Sequence, residues 1–299
     1  MLRQRIGLNS ESIGAQAILR AVKKGMRQGK MQELTDYLAS LRTSPALFDA
    51  LVESVVIPET SFFRNRAAFV FLRQWVANKV ASEVASEVAG EVASKPAHRP
   101  LRVLSLACST GEEPFSIAIT LLEEGLTLDD FHIDAVDISA SALKKAQEGI
   151  YSPYAFRRQT YRSGDKYFDL RVPEGANTHR KGSRITQRYF LIDSVRQKVS
   201  FHQGNVLDPM LLEDHLPYDV VFCRNLLIYF DQAARDRTIT LLDRLLKPGG
   251  LLFVGYAETE LINIANYQLV PYPQTFAYQK QLVPLVGLEK AKTSCLQEV

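Results

Sequence analysis

Apolar and polar residues follow two different periodicities along the chain, and the alternation between them predicts an α/β architecture. Short apolar runs bounded by turn residues have the length of buried strands, and the segments between them show the three-to-four-residue spacing of amphipathic helices. The predicted strands are 101–107, 131–136, 199–202, 219–223 and 251–255, with a closing hairpin at 269–270 and 276–278. Strands that alternate with helices favour a mostly parallel, open sheet.

Residues 1–66 show helical periodicity and predict a small N-terminal helical domain. One apolar stripe at helical spacing consists of Leu34, Tyr37, Leu38 and Leu41. Ser44 and Pro45 suit the cap and first turn of the next helix. An earlier helix carries a basic stripe at positions i, i+3, i+4 and i+7, namely Arg20, Lys23, Lys24 and Arg27. Like charges at this spacing repel by roughly 0.2–0.5 kcal/mol per pair. The stripe is either a solvated face or a docking surface for an acidic partner.

A connecting segment, 67–100, precedes the sheet domain, which we place at 101–282. From 81 to 96 it repeats A-S-E-V, A-S-E-V, A-G-E-V and A-S-K-P. A four-residue period drifts around an α-helix and cannot keep one apolar face, so we interpret the repeat as a frayed helical extension or a flexible linker. We expect the tail, 283–299, to be flexible.

The stretch from about 150 to 199 is too long for an ordinary loop inside a compact domain. Tyrosines are scattered through it among basic residues, at Tyr151, Tyr154, Tyr161, Tyr167 and Tyr189. Short alternating segments such as 184–192 favour strands. We therefore predict an inserted small β-subdomain that serves a partner.

Composition excludes several classes of protein. The chain has 299 residues, 46% hydrophobic and 23% charged, which suits one large core plus a smaller domain. A net charge of +3 is too small to indicate nucleic acid. No apolar run has membrane-spanning length, and no signal-peptide pattern follows Arg3 and Arg5. The cysteines Cys108, Cys223 and Cys295 fit neither a disulfide framework nor a zinc site. We expect a cytoplasmic monomer with no metal, no nucleic acid and no membrane insertion.

The turn after the first predicted strand reads C-S-T-G-E-E-P-F at 108–115. We expect Gly111 to let the backbone approach a ligand closely, and Pro114 suits the first turn of a helix. The turn lacks the G-x-G-x-x-G spacing, and two acidic residues at a helix start repel a pyrophosphate while suiting a cation. The predicted ligand is a cationic, phosphate-free nucleoside. S-adenosylmethionine meets that description.

Asp137 stands at the tip of the second predicted strand. A carboxylate there can accept hydrogen bonds from both ribose hydroxyls of a nucleoside. The alternative is a helix cap, because Ser139 and Ser141 follow and a helix is predicted to begin beside them. The acidic turn upstream favours the ribose role.

Six segments together resemble the CheR-type chemotaxis receptor methyltransferases. They are E-T-S-F-F-R at 59–64, C-S-T-G-E-E-P-F-S at 108–116, V-D-I-S at 136–139, G-N-V-L at 204–207, F-C-R-N-L-L-I-Y-F-D at 222–231 and K-P-G-G-L-L-F-V-G at 247–255. The resemblance implies a Rossmann-like class I S-adenosylmethionine-dependent methyltransferase sheet. It also implies methylation of glutamate side chains on the cytoplasmic helical bundle of chemoreceptors, with S-adenosylhomocysteine as the product.

The resemblance also implies roles for individual residues. It assigns cofactor contacts to Thr60, Arg64, Cys108, Glu112, Asp137, Asn205, Val206, Asn225 and Leu226. It places Tyr229 and Arg224 near the transferring methyl, and Arg64 or Arg224 could hold the incoming carboxylate. Family members often have asparagine where Pro58 stands, which implies one fewer polar contact to the cofactor.

The implied chemistry explains why no catalytic dyad or triad is evident in the sequence. A glutamate carboxylate, with a pKa of about 4.3, is ionised at neutral pH and needs no general base to attack a sulfonium methyl. Two alternatives stay open. One is a non-catalytic cofactor-sensing or scaffold module of the same fold, and the other is a methyltransferase for nucleic acid or a small molecule. The segment 222–231 lacks an N-P-P-Y type motif, which counts against the second.

Overall fold

The computed structural model describes residues 1–88, 99–156, 164–171, 188–262 and 266–282. Within these ranges, six helices precede the first strand: α1 (Leu2–Ile6), α2 (Ser10–Ile13), α3 (Ala15–Gln28), α4 (Leu34–Thr43), α5 (Pro45–Val55) and α6 (Arg66–Val88). The Ser44 hydroxyl oxygen accepts a hydrogen bond from the Leu47 N–H at 3.3 Å, so the predicted cap of α5 is present. In α4, Tyr37 and Leu41 are buried, whereas Leu34 is 50% exposed.

Ten strands follow in the described ranges: β1 (Leu101–Leu106), β2 (Phe131–Asp137), β3 (Ile150–Tyr151), β4 (Phe168–Arg171), β5 (Arg188–Leu191), β6 (Val199–Gln203), β7 (Tyr218–Cys223), β8 (Leu246–Val254), β9 (Tyr267–Leu269) and β10 (Ala277–Lys280). Seven of them form one sheet in the order β6-β2-β1-β7-β8-β10-β9. The first five are parallel, and the last two form an antiparallel hairpin against β8. The direction of strand order reverses beside β1, which opens a crevice at the carboxyl ends of β1 and β7.

Both faces of the sheet are covered, as an almost parallel sheet requires. Further helices are α7 (Glu112–Glu123), α8 (Ala140–Glu148), α9 (Gly164–Tyr167), α10 (Asp193–Arg196) and α11 (Gln232–Leu245). On one face Phe222 and Phe253 stack at 4.3 Å between ring centroids, within the core that α6 and α7 share. Their neighbours Val221 and Leu252 belong to the opposite core beneath α11. Successive strand residues thus supply the two cores alternately.

The predicted insertion forms a second sheet of three antiparallel strands, in the order β3-β5-β4. Residues 157–163 and 172–187, including Tyr161 and much of the alternating segment 184–192, lie outside the described residues. Phe62 joins this sheet to the N-terminal part, because its ring lies 4.8 Å from Tyr151 and 5.0 Å from Phe168 between centroids. The three-stranded sheet confirms the predicted inserted β-subdomain.

The structure bears on the interpretation of the repeat, and it moves one predicted strand boundary. The helix α6 extends through the first two copies of the A-S-E-V repeat, and the remaining copies fall outside the described residues, as does the tail. The last parallel strand, predicted at 251–255, begins earlier in the structure, because β8 starts at Leu246 and includes the K-P-G-G segment at 247–250. It forms a bulge there, because Tyr218 pairs with Leu246 while Val220 pairs with Leu251.

No helix within the described ranges is long and apolar enough to cross a bilayer.

Candidate active site

A cavity lies at the carboxyl ends of β1, β2, β6 and β7, the edge of an open sheet where ligands bind. Residues from six separate segments of the chain meet there. The sequence-predicted residues that line it are Thr60, Arg64, Asp137, Asn205, Val206, Arg224, Asn225, Leu226 and Tyr229. Cys108 and Glu112 do not belong to its lining within the described residues.

The turn after β1 is shaped by residues with left-handed backbone angles. Ala107 and Ser109 have φ values of 56° and 51°, and Gly111 has a φ of 92°. A Cβ at Gly111 would lie 2.8 Å from the Ala146 Cβ and 3.1 Å from the Tyr151 hydroxyl. The expectation that Gly111 admits a ligand is therefore not what the structure shows, because protein atoms fill that space. The residues of this turn that line the cavity are Ala107 and Ser109.

Asp137 organises the tip of β2. One carboxylate oxygen accepts from the Ser109 N–H at 2.8 Å, and the other accepts from the Ser139 N–H at 2.8 Å. The cap of α8 is Ser139, whose hydroxyl accepts from the Ala142 N–H. Burial raises the pKa of the Asp137 carboxyl above its usual value, against the lowering effect of these backbone hydrogen bonds. Each oxygen keeps a lone pair for a ligand hydroxyl.

The two glutamates at the start of α7 separate into different environments. Glu113 lines the cavity, accepts from the Ser105 hydroxyl at 2.8 Å and pairs with Arg224 at 3.1 Å. Glu112 is buried outside the lining and accepts from the Thr110 hydroxyl at 2.6 Å. Burial raises the pKa of both carboxyls. Sequence reasoning assigned Glu112 to the cofactor, and the structure places its neighbour at the cavity wall instead.

Cys108 is buried beneath the turn, where burial raises the pKa of its thiol well above the usual value. A thiol in this state is a small apolar side chain rather than a nucleophile.

Arg224 is fixed by its own hydrogen bonds. Its guanidinium pairs with Glu113 and donates to the Arg64 carbonyl at 2.8 Å, and its side chain is only 3% exposed. Arg64 is half-buried, and its guanidinium donates to the Glu59 carbonyl at 2.8 Å. Arg224 thus ties α7 to the segment before α6, while Arg64 is the more accessible cation.

Glu258 holds the loop that follows β7, a role the sequence analysis missed. Its side chain is fully buried, and its carboxylate accepts from the N–H groups of Asn225, Leu226 and Leu227 at 2.7–2.8 Å. It also accepts from the Gly255 N–H at 2.6 Å. Asn225 has a φ of 59°, so its backbone needs such external support. No local pattern around 258 signals this contact, because its partners lie about 30 residues away in the chain.

The N-terminal segment also closes one side of the cavity, and no sequence signal indicated this. Leu8 lines the cavity and forms an isolated antiparallel β-bridge with Phe230. The Asn9 N–H donates to the Tyr229 carbonyl at 2.8 Å. The Asn205 side-chain amide donates to the Arg5 carbonyl at 2.6 Å. The loops after β6 and β7 are therefore both attached to the start of the chain.

Glu53 joins the helical part to the tip of β2. Its carboxylate accepts from the Ser139 hydroxyl at 2.7 Å, the Ser141 hydroxyl at 2.5 Å and the Ser141 N–H at 3.1 Å. These hydrogen bonds lower the pKa of Glu53 in spite of its partial burial. The helical part thus supports the same turn that carries Asp137.

Two buried polar atoms at the cavity wall have no partner among the described residues, the Ser109 hydroxyl and the Arg224 Nε. Such groups are rare in native interiors, and a bound ligand is one way of satisfying them. The same wall offers the carboxylate oxygens of Asp137, which could accept from ligand hydroxyls, and the acidic side chain of Glu113. The cavity therefore fits S-adenosylmethionine.

The fold and the cavity define the class of protein. A parallel sheet that ends in an antiparallel hairpin, with a nucleoside-type cavity at its switch point, is the S-adenosylmethionine-dependent methyltransferase architecture. The family described as "CheR methyltransferase, SAM binding domain" matches residues 58–273. The chain belongs to this family.

Relatives match most of the chain. It is 38% identical to "Probable biofilm formation methyltransferase WspC" of Pseudomonas aeruginosa over 94% of this chain and 60% of that protein. The WspC protein of Pseudomonas putida is 40% identical over 93% of this chain and 59% of its own length. "Chemotaxis protein methyltransferase 2" of Vibrio cholerae is 33% identical over 76% of this chain and 72% of that protein. The chain thus spans about 60% of the length of the two WspC relatives.

Proposed function

We propose that the chain transfers the methyl group of S-adenosylmethionine to glutamate carboxylates on the cytoplasmic helical bundle of a chemoreceptor in a chemosensory pathway. The observation that carries this proposal is the cavity, which gathers Asp137, Glu113 and Tyr229 at one sheet edge. Membership of the CheR family and the names of the WspC and chemotaxis relatives support the substrate class. The products are a glutamate methyl ester and S-adenosylhomocysteine.

The chemistry asks the protein for positioning rather than for proton transfer. An ionised carboxylate attacks the sulfonium methyl, and the departing thioether takes the electron pair of the broken C–S bond. Holding acceptor and methyl in line can be worth about 7–11 kcal/mol of barrier. In the proposed arrangement the Asp137 carboxylate accepts hydrogen bonds from the ribose hydroxyls of the cofactor. The Ser109 hydroxyl forms a hydrogen bond with the cofactor, and Glu113 faces the cationic end of the cofactor.

Within this proposal Arg64 and Arg224 have different roles. Arg224 is buried and has one ion pair and one carbonyl contact, so it fixes Glu113 and the wall of the site. Arg64 is half-buried, and its guanidinium makes a single hydrogen bond to the described residues, to the Glu59 carbonyl. Arg64 therefore meets the incoming carboxylate, and Tyr229 orients the reacting groups from the other wall. The Tyr229 hydroxyl makes no hydrogen bond to the described residues, which leaves it available.

Labelled methyl transfer tests the activity. The purified chain is mixed with methyl-tritiated S-adenosylmethionine and cytoplasmic fragments of glutamate-rich chemoreceptors. A methyl ester releases volatile tritiated methanol in mild base, whereas a methylated nitrogen does not. Base-labile label that requires both receptor and enzyme is the expected result. Cofactor binding without transfer would instead favour a sensing or scaffold module, and base-stable label would favour another substrate.

We further propose that the basic stripe of α3 docks the receptor. Arg20, Lys23, Lys24 and Arg27 are all exposed, and none has a carboxylate within ion-pair distance among the described residues. The opposite side of α3 is buried, since a Cβ at Gly25 would lie 2.1 Å from the Tyr37 hydroxyl. The stripe therefore cannot turn inward. A glutamate-rich bundle is a complementary partner, and attraction of this kind is screened over about 8–10 Å at moderate salt.

Charge reversal tests the docking. Lys23→Glu with Lys24→Glu should raise the apparent KM for receptor and flatten its salt dependence, while cofactor affinity stays unchanged. The matched control reverses Lys144 and Lys145, adjacent exposed lysines on α8 that lie outside the cavity lining. Equal effects of the two double variants would mean that net charge matters and that the stripe is only a solvated face.

A further inference from the structure

A cluster of histidines and one aspartate lies on the sheet away from the cavity, and the methyltransferase chemistry does not use it. The cluster consists of Asp134, His202 and His215. Each offers one potential ligand atom, and these three atoms all lie within 4.8 Å of one another. They come from β2, from β6 and from the segment that leads into β7. None of the three lines the cavity. The sequence predicts no metal site, because these three positions are too far apart in the chain to form a recognisable motif.

We propose that Asp134, His202 and His215 bind one Zn²⁺ ion. Imidazole nitrogen and carboxylate oxygen are ordinary zinc ligands at about 2.0–2.2 Å, and sites with three protein ligands keep a fourth position for water. The His202 Nε2 lies 3.0 Å from the Asp134 Oδ1, close to the separation of neighbouring tetrahedral ligands. The rings of His202 and His215 lie at 87° with centroids 5.4 Å apart, so both edges can turn toward one point.

The carboxylate is held in the orientation that a metal ligand needs. Its Oδ2 accepts from the Tyr218 hydroxyl at 2.8 Å and pairs with Arg102 at 3.1 Å. Those partners leave Oδ1 as the oxygen that faces the histidines. Outer partners of this kind commonly fix the ligands of metal sites.

The site is reachable from solvent on one side. The Asp134 side chain is 2% exposed, whereas the His202 side chain is 34% exposed, so an ion enters from the histidine side. Coordination replaces the hydrogen bond between His202 and Asp134. The displaced imidazole proton moves to Nδ1 when the ring is neutral and to water when it is charged. A bound ion would join β2, β6 and the segment before β7, and should stabilise the folded chain.

The experiment uses the full chain, with Zn²⁺ measured by calorimetric titration and Co²⁺ used as a spectroscopic substitute. One ion per chain is expected, with a rise in the midpoint of thermal unfolding and Co²⁺ absorption bands typical of nitrogen and oxygen ligands. His202→Gln and His215→Gln should each weaken binding by at least about 100-fold, because even loss of an outer partner costs about 10–100-fold.

His132→Gln is the matched control. His132 also contacts the Asp134 Oδ1, at 3.1 Å, but it is not one of the three proposed ligands. This variant should weaken zinc binding by no more than about 10-fold, the lower end of the loss expected for an outer partner. Every variant retains His98 and His179, so background binding is common to all. Binding that all variants share equally would overturn the site. Loss of binding in His132→Gln as large as in His215→Gln would overturn the proposed ligand set.

Discussion

The carboxylate of Glu258 offers the sharpest test of how this site is built. Its Oε1 accepts from Leu226 and Leu227, and its Oε2 accepts from Asn225 and Gly255. Glu258→Gln keeps the size and shape of the side chain, but an amide offers one oxygen where the carboxylate offers two. Two backbone N–H groups then face an NH₂ group and lose their acceptor. The loop after β7 is the part of the site that depends on them.

The expected cost follows from those two orphaned donors. A buried N–H without a partner costs about 1–3 kcal/mol, so the change should destabilise the fold by about 2–6 kcal/mol. At about 2–4 °C per kcal/mol for a large domain, the midpoint of thermal unfolding should fall by at least about 4 °C. Because Asn225 and Leu226 line the cavity, affinity for S-adenosylmethionine should fall as well.

Thermal unfolding followed by circular dichroism, with calorimetric titration of the cofactor below the transition, measures both effects. The matched control is Glu260→Gln, which removes the same charge from an exposed position in the same short 3₁₀-helix, Tyr256–Leu261. We expect Glu260→Gln to unfold within about 1 °C of the parent. Equal midpoints for the two variants would refute the reasoning that Glu258 supports the loop.

Three further outcomes are expected. Asp137→Asn keeps the shape of the β2 tip but loses a charged acceptor, so calorimetry should show S-adenosylmethionine affinity about 10-fold to 100-fold lower; unchanged affinity would remove Asp137 from the ribose site. Because burial raises the pKa of Asp137, affinity in the parent should begin to fall at a higher pH on acidification than for an exposed aspartate, and Asp137→Asn should abolish this dependence. Tyr229→Phe should lower turnover while cofactor affinity stays within a few-fold, and the reverse pattern would make Tyr229 a residue of the binding pocket only.

The sequence by itself determined the architecture and the class of ligand. Strand periodicity, the capping pair Ser44 and Pro45, and the acidic turn after β1 are local signals, because they depend on neighbours within a few residues. These signals also placed Asp137 at a strand tip. The family resemblance assigned Asn205, Asn225 and Tyr229 to one site, and all three line the same cavity.

Tertiary structure decided which groups support that site. Glu53 accepts hydrogen bonds from Ser139 and Ser141, and Glu258 accepts from the backbone that follows β7. These partners lie far away in the chain, and no sequence motif links either glutamate to them. The choice between Glu112 and Glu113 depended on which side of α7 faces the cavity, and two adjacent helical residues always face different directions. At Gly111 the sequence predicted that some group packs closely against the backbone. Only the folded structure shows that this group is the side chain of Ala146 rather than a ligand. Such contacts join residues that the chain separates, so only the folded arrangement determines them.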